Sequence, residues 1–181
     1  QQWDMEFEEL TDVTVEQYLE MIRLKTSVLL AAALKIGAIL GGAPEKDAEL
    51  LYDFGVKMGL AFQLQDDYLD VYGDPAIFGK KIGGDILCNK KTFMLITALE
   101  QAQEADKEAL LGWLHVEDYA PEEKIQSVTA LYNKVGVAAI CNARIDTYYK
   151  EGLDLLEQVD VEPARKEELK AFVCRLMDRK L

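Results

Sequence analysis

Gln63, Asp66, Asp67 and Asp70, within the run Phe62-Gln63-Leu64-Gln65-Asp66-Asp67-Tyr68-Leu69-Asp70, put one amide and three carboxylates close together in the chain. On a helix that turns ~100° per residue, with Gln63 at zero, Asp66 falls near about −60°, Asp67 near about +40° and Asp70 near about −20°. One amide and three carboxylates then share an arc of roughly 100°, and Leu64 and Leu69 fill the other side. Two carboxylates ~5 Å apart repel by about 3 kcal/mol at an effective dielectric of ~20, a sizeable part of a domain's net stability. A hard divalent cation offsets that repulsion, and magnesium characteristically takes one or two carboxylates and shares its other positions with water and phosphate oxygens. A solvated helix face is the commoner fate of an acidic cluster, so the spacing by itself leaves both readings open.

The next segment adds the opposite charge. Lys80, Lys81, Lys90 and Lys91 bracket Gly79, Gly83, Gly84 and Asp85. Carboxylates followed directly by ammonium groups suit a bridged anion, and a diphosphate satisfies both: its oxygens meet a cation held by the aspartates, and its remaining charge pairs with lysines. Ordinary surface charge is the competing account of those lysines. From Asp74 to Lys90 the sequence is too long and polar for a tight turn and reads as a functional loop.

The elements that position these groups are helical. Apolar residues recur at three and four, and no sustained alternation signals a strand, so the fold class is all-α. Thr14 with Gln17 three residues on predicts a capping-box start to a helix running through Ile22, Leu29 and Ala33 to Gly41-Gly42. A second helix is expected to begin after Pro44 and run to about Tyr72, stopped by Gly73, Asp74 and Pro75. Further helices are expected at about 90 to 103, 106 to 115, 122 to 158 with a kink near Gly136, and 163 to 180. The 181 residues suit a single domain over 1–181, and a net charge of −13 argues against a nucleic-acid partner. The longest apolar stretch, Val28 to Leu40, is interrupted by Lys35 and Gly37 and is too short for a membrane span. Cys88, Cys141 and Cys174 form neither a zinc pattern nor a disulfide framework, which fits a reducing cytoplasm. His115, the only histidine, is expected at a surface helix end, and Arg175, Arg179 and Lys180 at a solvated one.

At these residues the chain resembles the trans-isoprenyl diphosphate synthases (polyprenyl synthetases), which include the short-chain farnesyl and geranylgeranyl diphosphate synthases. The run Phe62 to Asp70 resembles that family's second aspartate-rich motif with its Phe-Gln pair. Gly79-Lys80-Lys81-Ile82-Gly83-Gly84-Asp85, then Asn89-Lys90, resembles its lysine loop. Lys25-Thr26-Ser27 is similar to its Lys-Thr signature, and Gln1-Gln2-Trp3-Asp4 to the tail of its Gly-Gln-x-x-Asp motif.

The resemblance implies an antiparallel helical bundle of the isoprenoid synthase type, here its C-terminal portion without the N-terminal helices. It implies a magnesium-dependent prenyltransferase, with manganese as a substitute ion, that condenses an allylic diphosphate with isopentenyl diphosphate as a homodimer. On the matching positions, Asp66, Asp67 and Asp70 would hold magnesium, with Asp85 acting through water. Lys25, Lys90 and either Lys80 or Lys81 would neutralise the diphosphate. Thr26 and Gln63 would present oxygens near the allylic carbocation, and Phe62 would lie beside isopentenyl diphosphate. The family also carries a first aspartate-rich motif and substrate-binding arginines upstream, and these 181 residues contain neither. The expectation is therefore a fragment that carries half of the site and is inactive alone. A terpene cyclase-like enzyme on the same fold, or a non-catalytic partner subunit of a full synthase, are the competing readings.

Overall fold

The structure, a computed structural model, describes residues 2–10, 12–78 and 82–178. Among these every regular element is helical, as the sequence predicts. In order they are α1 (Gln2–Glu9), α2 (Val15–Ile22), a π-helical turn (Arg23–Ser27), α3 (Val28–Leu40), α4 (Glu45–Tyr72), the single turns α5 (Pro75–Phe78) and α6 (Gly84–Leu87), α7 (Phe93–Gln101), α8 (Glu104–His115), α9 (Pro121–Val135) and α10 (Val137–Gln158). A 3-10 turn (Pro163–Arg165) precedes α11 (Glu167–Met177). Lys80 and Lys81, together with Gly79, Gln1, Arg179 and Lys180, lie outside the described residues.

Several boundaries follow from local chemistry. The Gln17 N–H donates to the Thr14 hydroxyl at 3.2 Å while the Thr14 N–H donates to Gln17 Oε1 at 2.9 Å, the reciprocal pair the capping box requires. The helix expected from residue 90 starts instead at Phe93, because Thr92 is extended and its hydroxyl accepts from the Leu95 N–H. The long helix expected over 122 to 158 is two helices, parted at Gly136. The expected loop from Asp74 to Lys90 contains the two short turns α5 and α6. His115 ends α8 and is exposed.

The chain forms two compact units, one of Gln1–Leu19 with Asp66–Asn142, the other of Glu20–Gln65 with Ala143–Lys180. In the first, α9 packs against α6, α7 and α8. Phe93, Met94, Leu95, Ile96, Leu110, Val128 and Tyr132 are buried there. The six consecutive buried residues Phe93–Ala98 mean that α7 is enclosed on every side rather than amphipathic. In the second, Phe54, Met58, Leu156, Val159 and Val173 form the core, with Leu30, Leu34 and Leu153 against it.

The second unit also contains a close backbone crossing. Ser27 and Ala31 face Gly59 and Gly55, so small residues four apart meet on both segments. A Cβ at Gly59 would sit 2.6 Å from Ser27 Cα, and one at Gly55 2.6 Å from Ala31 Cα, so the backbones approach as far as glycine allows. The helix expected to run unbroken from Thr14 to Gly41 is wound as a π turn where it reaches this crossing. The Val28 N–H bonds to the Arg23 carbonyl, five residues back. Gly59→Ala is expected to destabilise the fold by about 1–3 kcal/mol through overpacking against backbone that cannot recede. Gly37→Ala, where a Cβ meets nothing within 4 Å, is expected to be neutral or to stabilise by up to about 1 kcal/mol. Denaturant titration of both variants checks the contrast.

Candidate functional site

The acidic group is organised by the end of α4. The Asp70 carboxylate accepts from the Asp85 N–H at 2.9 Å, and the Asp70 carbonyl accepts from the Gly83 N–H at 2.6 Å. Gly83 sits at φ +84° with its Cα against Ile125, a conformation and a closeness that exclude a side chain. Asp85 in turn accepts from Lys90 Nζ at 3.1 Å. Aspartate, loop backbone, second aspartate and lysine are thus linked in one chain of hydrogen bonds. Burial raises the Asp70 pKa, and the Asp85 N–H bond opposes that rise.

The three aspartates of the motif do not present alike. Asp66 and Asp70 are half-buried, whereas Asp67 is only 2% exposed. The helix geometry explains it. At about +40° Asp67 stands at the edge of the face that carries Val71 near about 80° and Leu64 near about 100°, both buried. The Tyr18 hydroxyl donates to Asp67 Oδ2, while Asp67 Oδ1 is buried with no hydrogen-bond partner among the described residues. Desolvation pushes the Asp67 carboxyl up to about 7, and the charge of Lys90 and the Tyr18 hydroxyl pull it back. Burial raises the Tyr18 hydroxyl well above its ordinary value. Tyr18 was not legible as a site residue, because its partner lies 49 positions away.

The donor set bears on which ion could be held. Carboxylate oxygens alone suit a hard divalent cation such as magnesium or manganese. A buried carboxylate oxygen left without a donor is a place where such charge would be stabilising. Among the described residues no three His, Cys, Asp or Glu side chains close around one point as an all-protein metal shell. An ion here would therefore complete its shell with water and ligand oxygens.

A second group lies on the π turn and the neighbouring stretch of α4. The Thr26 hydroxyl donates to Gln63 Oε1 at 3.1 Å, so these two expected site residues are in contact. Lys25 is exposed and Phe62 half-buried. Ser27 is fully buried at the crossing with Gly59, its hydroxyl without a hydrogen-bond partner among the described residues. π turns recur at functional positions because the extra residue re-aims side chains that an α-helix would hold in register.

The polyprenyl synthetase family profile matches residues 1–134. The chain belongs to that family. It is 42% identical over 164 residues to a short chain isoprenyl diphosphate synthase of Methanothermobacter thermautotrophicus, spanning 89% of this chain and 50% of that protein. It is 37% identical to a geranylgeranyl diphosphate synthase of Sulfolobus acidocaldarius, over 86% of this chain and 47% of that one. Its fold superposes on a crystal structure of a geranylgeranyl pyrophosphate synthase with a TM-score of 0.91 at 40% identity, covering 99% of this chain and 56% of that one. A geranylgeranyl pyrophosphate synthase from Corynebacterium glutamicum, complexed with isoprenyl diphosphate and magnesium, superposes at 0.87 with 30% identity, over 98% of this chain and 50% of that one. The polyprenyl synthetase chain described here thus spans about half the length of the curated relatives it matches. Among the described residues no helix is long and apolar enough to cross a membrane.

The buried Asp67 has a consequence for stability. Because its folded-state pKa lies above the ordinary carboxylate value, its favourable contribution is full below about pH 4 and is lost as pH rises through about 7. Asp67→Asn keeps an oxygen for Tyr18 without the charge. In chelator at pH 8 it is expected to raise the melting temperature by several degrees, on the scale of about 1–3 kcal/mol for a buried unsatisfied group. The gain should shrink steadily toward pH 4. Melts across that range decide it, and an Asn variant less stable at pH 8 contradicts the assignment.

Proposed function

We propose that this chain carries the allylic-diphosphate and magnesium half of a prenyltransferase that condenses an allylic diphosphate with isopentenyl diphosphate. The observation that carries the reading is the hydrogen-bonded run from Asp70 through the Asp85 N–H and the Asp85 carboxylate to Lys90, which holds carboxylates and an ammonium together within one unit. Asp66, Asp67 and Asp70 would hold magnesium, with manganese as a substitute, and Asp85 would act through water. The Corynebacterium relative complexed with isoprenyl diphosphate and magnesium supports the choice of ion. When bound, the ion acts as a Lewis acid toward the diphosphate as negative charge develops on it.

The protein's own groups do the rest. Ionisation of the allylic carbon–oxygen bond separates a carbocation from a diphosphate anion. Lys90, Lys25 and one of Lys80 or Lys81 place ammonium groups where the anion's charge grows. Thr26 and Gln63 turn oxygen lone pairs toward the cation. Since the Thr26 proton is engaged by Gln63, lone pairs of the Thr26 oxygen are what it has left to offer. Phe62 lies beside isopentenyl diphosphate, whose double bond attacks the cation. Proton loss to the departing diphosphate completes the step without a dedicated side-chain base. In the whole protein this takes place in a cytoplasmic homodimer.

These 181 residues contain one aspartate-rich motif of this kind, and the polypeptide alone is inactive. A preparation whose intact mass matches the 181 residues should show no allylic condensation, and reproducible turnover sinks that claim. Binding of inorganic diphosphate or a bisphosphonate, followed by calorimetry, should require magnesium and weaken at least tenfold on Asp66→Ala. Binding indifferent to both the ion and the substitution favours a non-catalytic partner subunit instead.

A further inference from the structure

Lys124, on α9, is a buried lysine that the proposed chemistry does not use. It is 1% exposed, and among the described residues it has no carboxylate partner. Its ammonium donates to Asn89 Oδ1 at 2.7 Å and stands 4.3 Å from the centre of the Tyr119 ring. Burying a charge against neutral groups is costly, and a hydrophobic residue of similar volume is often no less stable at such a site. A role beyond stability would account for it.

Asn89 supplies that role. Among the described residues it is the one non-glycine residue with positive φ, at +53°. Asparagine tolerates that conformation better than most residues, but still at a cost. Both ends of its amide are tied down. Oδ1 accepts from Lys124, and Nδ2 donates to the Leu114 carbonyl at 3.0 Å. Tyr119 closes the arrangement, its ring under the Lys124 ammonium and its hydroxyl donating to the Leu87 carbonyl at 3.3 Å. The next residue is Lys90, whose N–H donates to the Asp85 carbonyl at 3.0 Å and whose ammonium reaches Asp85 Oδ1. Asp85, Asn89, Lys90 and Lys124 border one cavity of about 10 Å³.

We infer that Lys124 is a positioning residue for Lys90: by holding Asn89 in its left-handed conformation it fixes the turn that directs the Lys90 ammonium to Asp85 and an anion. The inference rests on the diphosphate reading of Lys90, but its first test does not. In the ligand-free protein, hydrogen exchange at the Asn89 and Lys90 amides should accelerate at least tenfold in Lys124→Met, while the α7 amides and the melting temperature stay near wild type. Unchanged exchange at those two amides overturns the inference whether or not diphosphate binds. Asn89→Gly, which keeps the backbone conformation without strain and removes the tie, serves where Lys124→Met does not fold, and the same acceleration at Lys90 is expected.

The second test is a cycle on magnesium-dependent binding of inorganic diphosphate. Lys90→Ala and Lys124→Met should each weaken binding about tenfold, and the double variant should be no worse than Lys90→Ala alone. Losses that multiply in the double variant would mean Lys124 acts on the anion independently, against the inference. Wild-type protein that binds no diphosphate would count against the proposed function and leave the exchange test to decide the role of Lys124.

Discussion

The bond from the Asp85 N–H to the Asp70 carboxylate is the constraint on which the charged end of the molecule is built. It fastens the loop that follows α4 back onto α4 itself, across 15 residues of sequence. Together with the bond from the Gly83 N–H to the Asp70 carbonyl, it holds Gly83, Asp85 and Lys90 at the acidic face against the loop-closure entropy that favours their separation. With it, negative and positive side chains that sequence places in succession become neighbours in space. The cost is that one Asp70 oxygen is engaged within the protein, as one Asp67 oxygen is engaged by the Tyr18 hydroxyl.

The same economy of space governs the other unit. Gly55 and Gly59 let the backbone that carries Gln63 approach the backbone that carries Lys25 and Thr26, and the hydrogen bond between Thr26 and Gln63 forms next to that crossing. Packing and chemistry are coupled here through two residues with no side chain. An increase in volume at Gly59 would be felt first at Ser27, the neighbour of Thr26.

Much of this architecture was legible in the sequence, and what was not has identifiable physical causes. The helix start at Thr14 and the stop at Gly73 rest on short-range chemistry, so a single sequence suffices to find them. Charge order along the chain likewise pointed to the pairing of Lys90 with a nearby carboxylate, here Asp85. Angular arithmetic put Asp66, Asp67 and Asp70 on one arc but could not tell which edge of it meets the core, so the burial of Asp67 was hidden. The contacts of Tyr18 with Asp67 and of Lys124 with Asn89 span 49 and 35 residues, beyond any local pattern. The preference of asparagine for left-handed backbone was the one signal that could have singled out Asn89. The π turn had no such signal, since Arg23–Ser27 is unremarkable in helix propensity.

That π turn bears on how the family can vary. A helix that accommodates one residue more than α geometry allows has, at that point, a spare position. Deleting one residue there would let the segment relax to an ordinary α-helix while the turns on either side kept nearly their present directions. Inserting a further residue, by contrast, would rotate the preceding turn by about 100° about the helix axis. Lineages descended from this sequence should therefore lose a residue within Arg23–Ser27 more readily than they gain one.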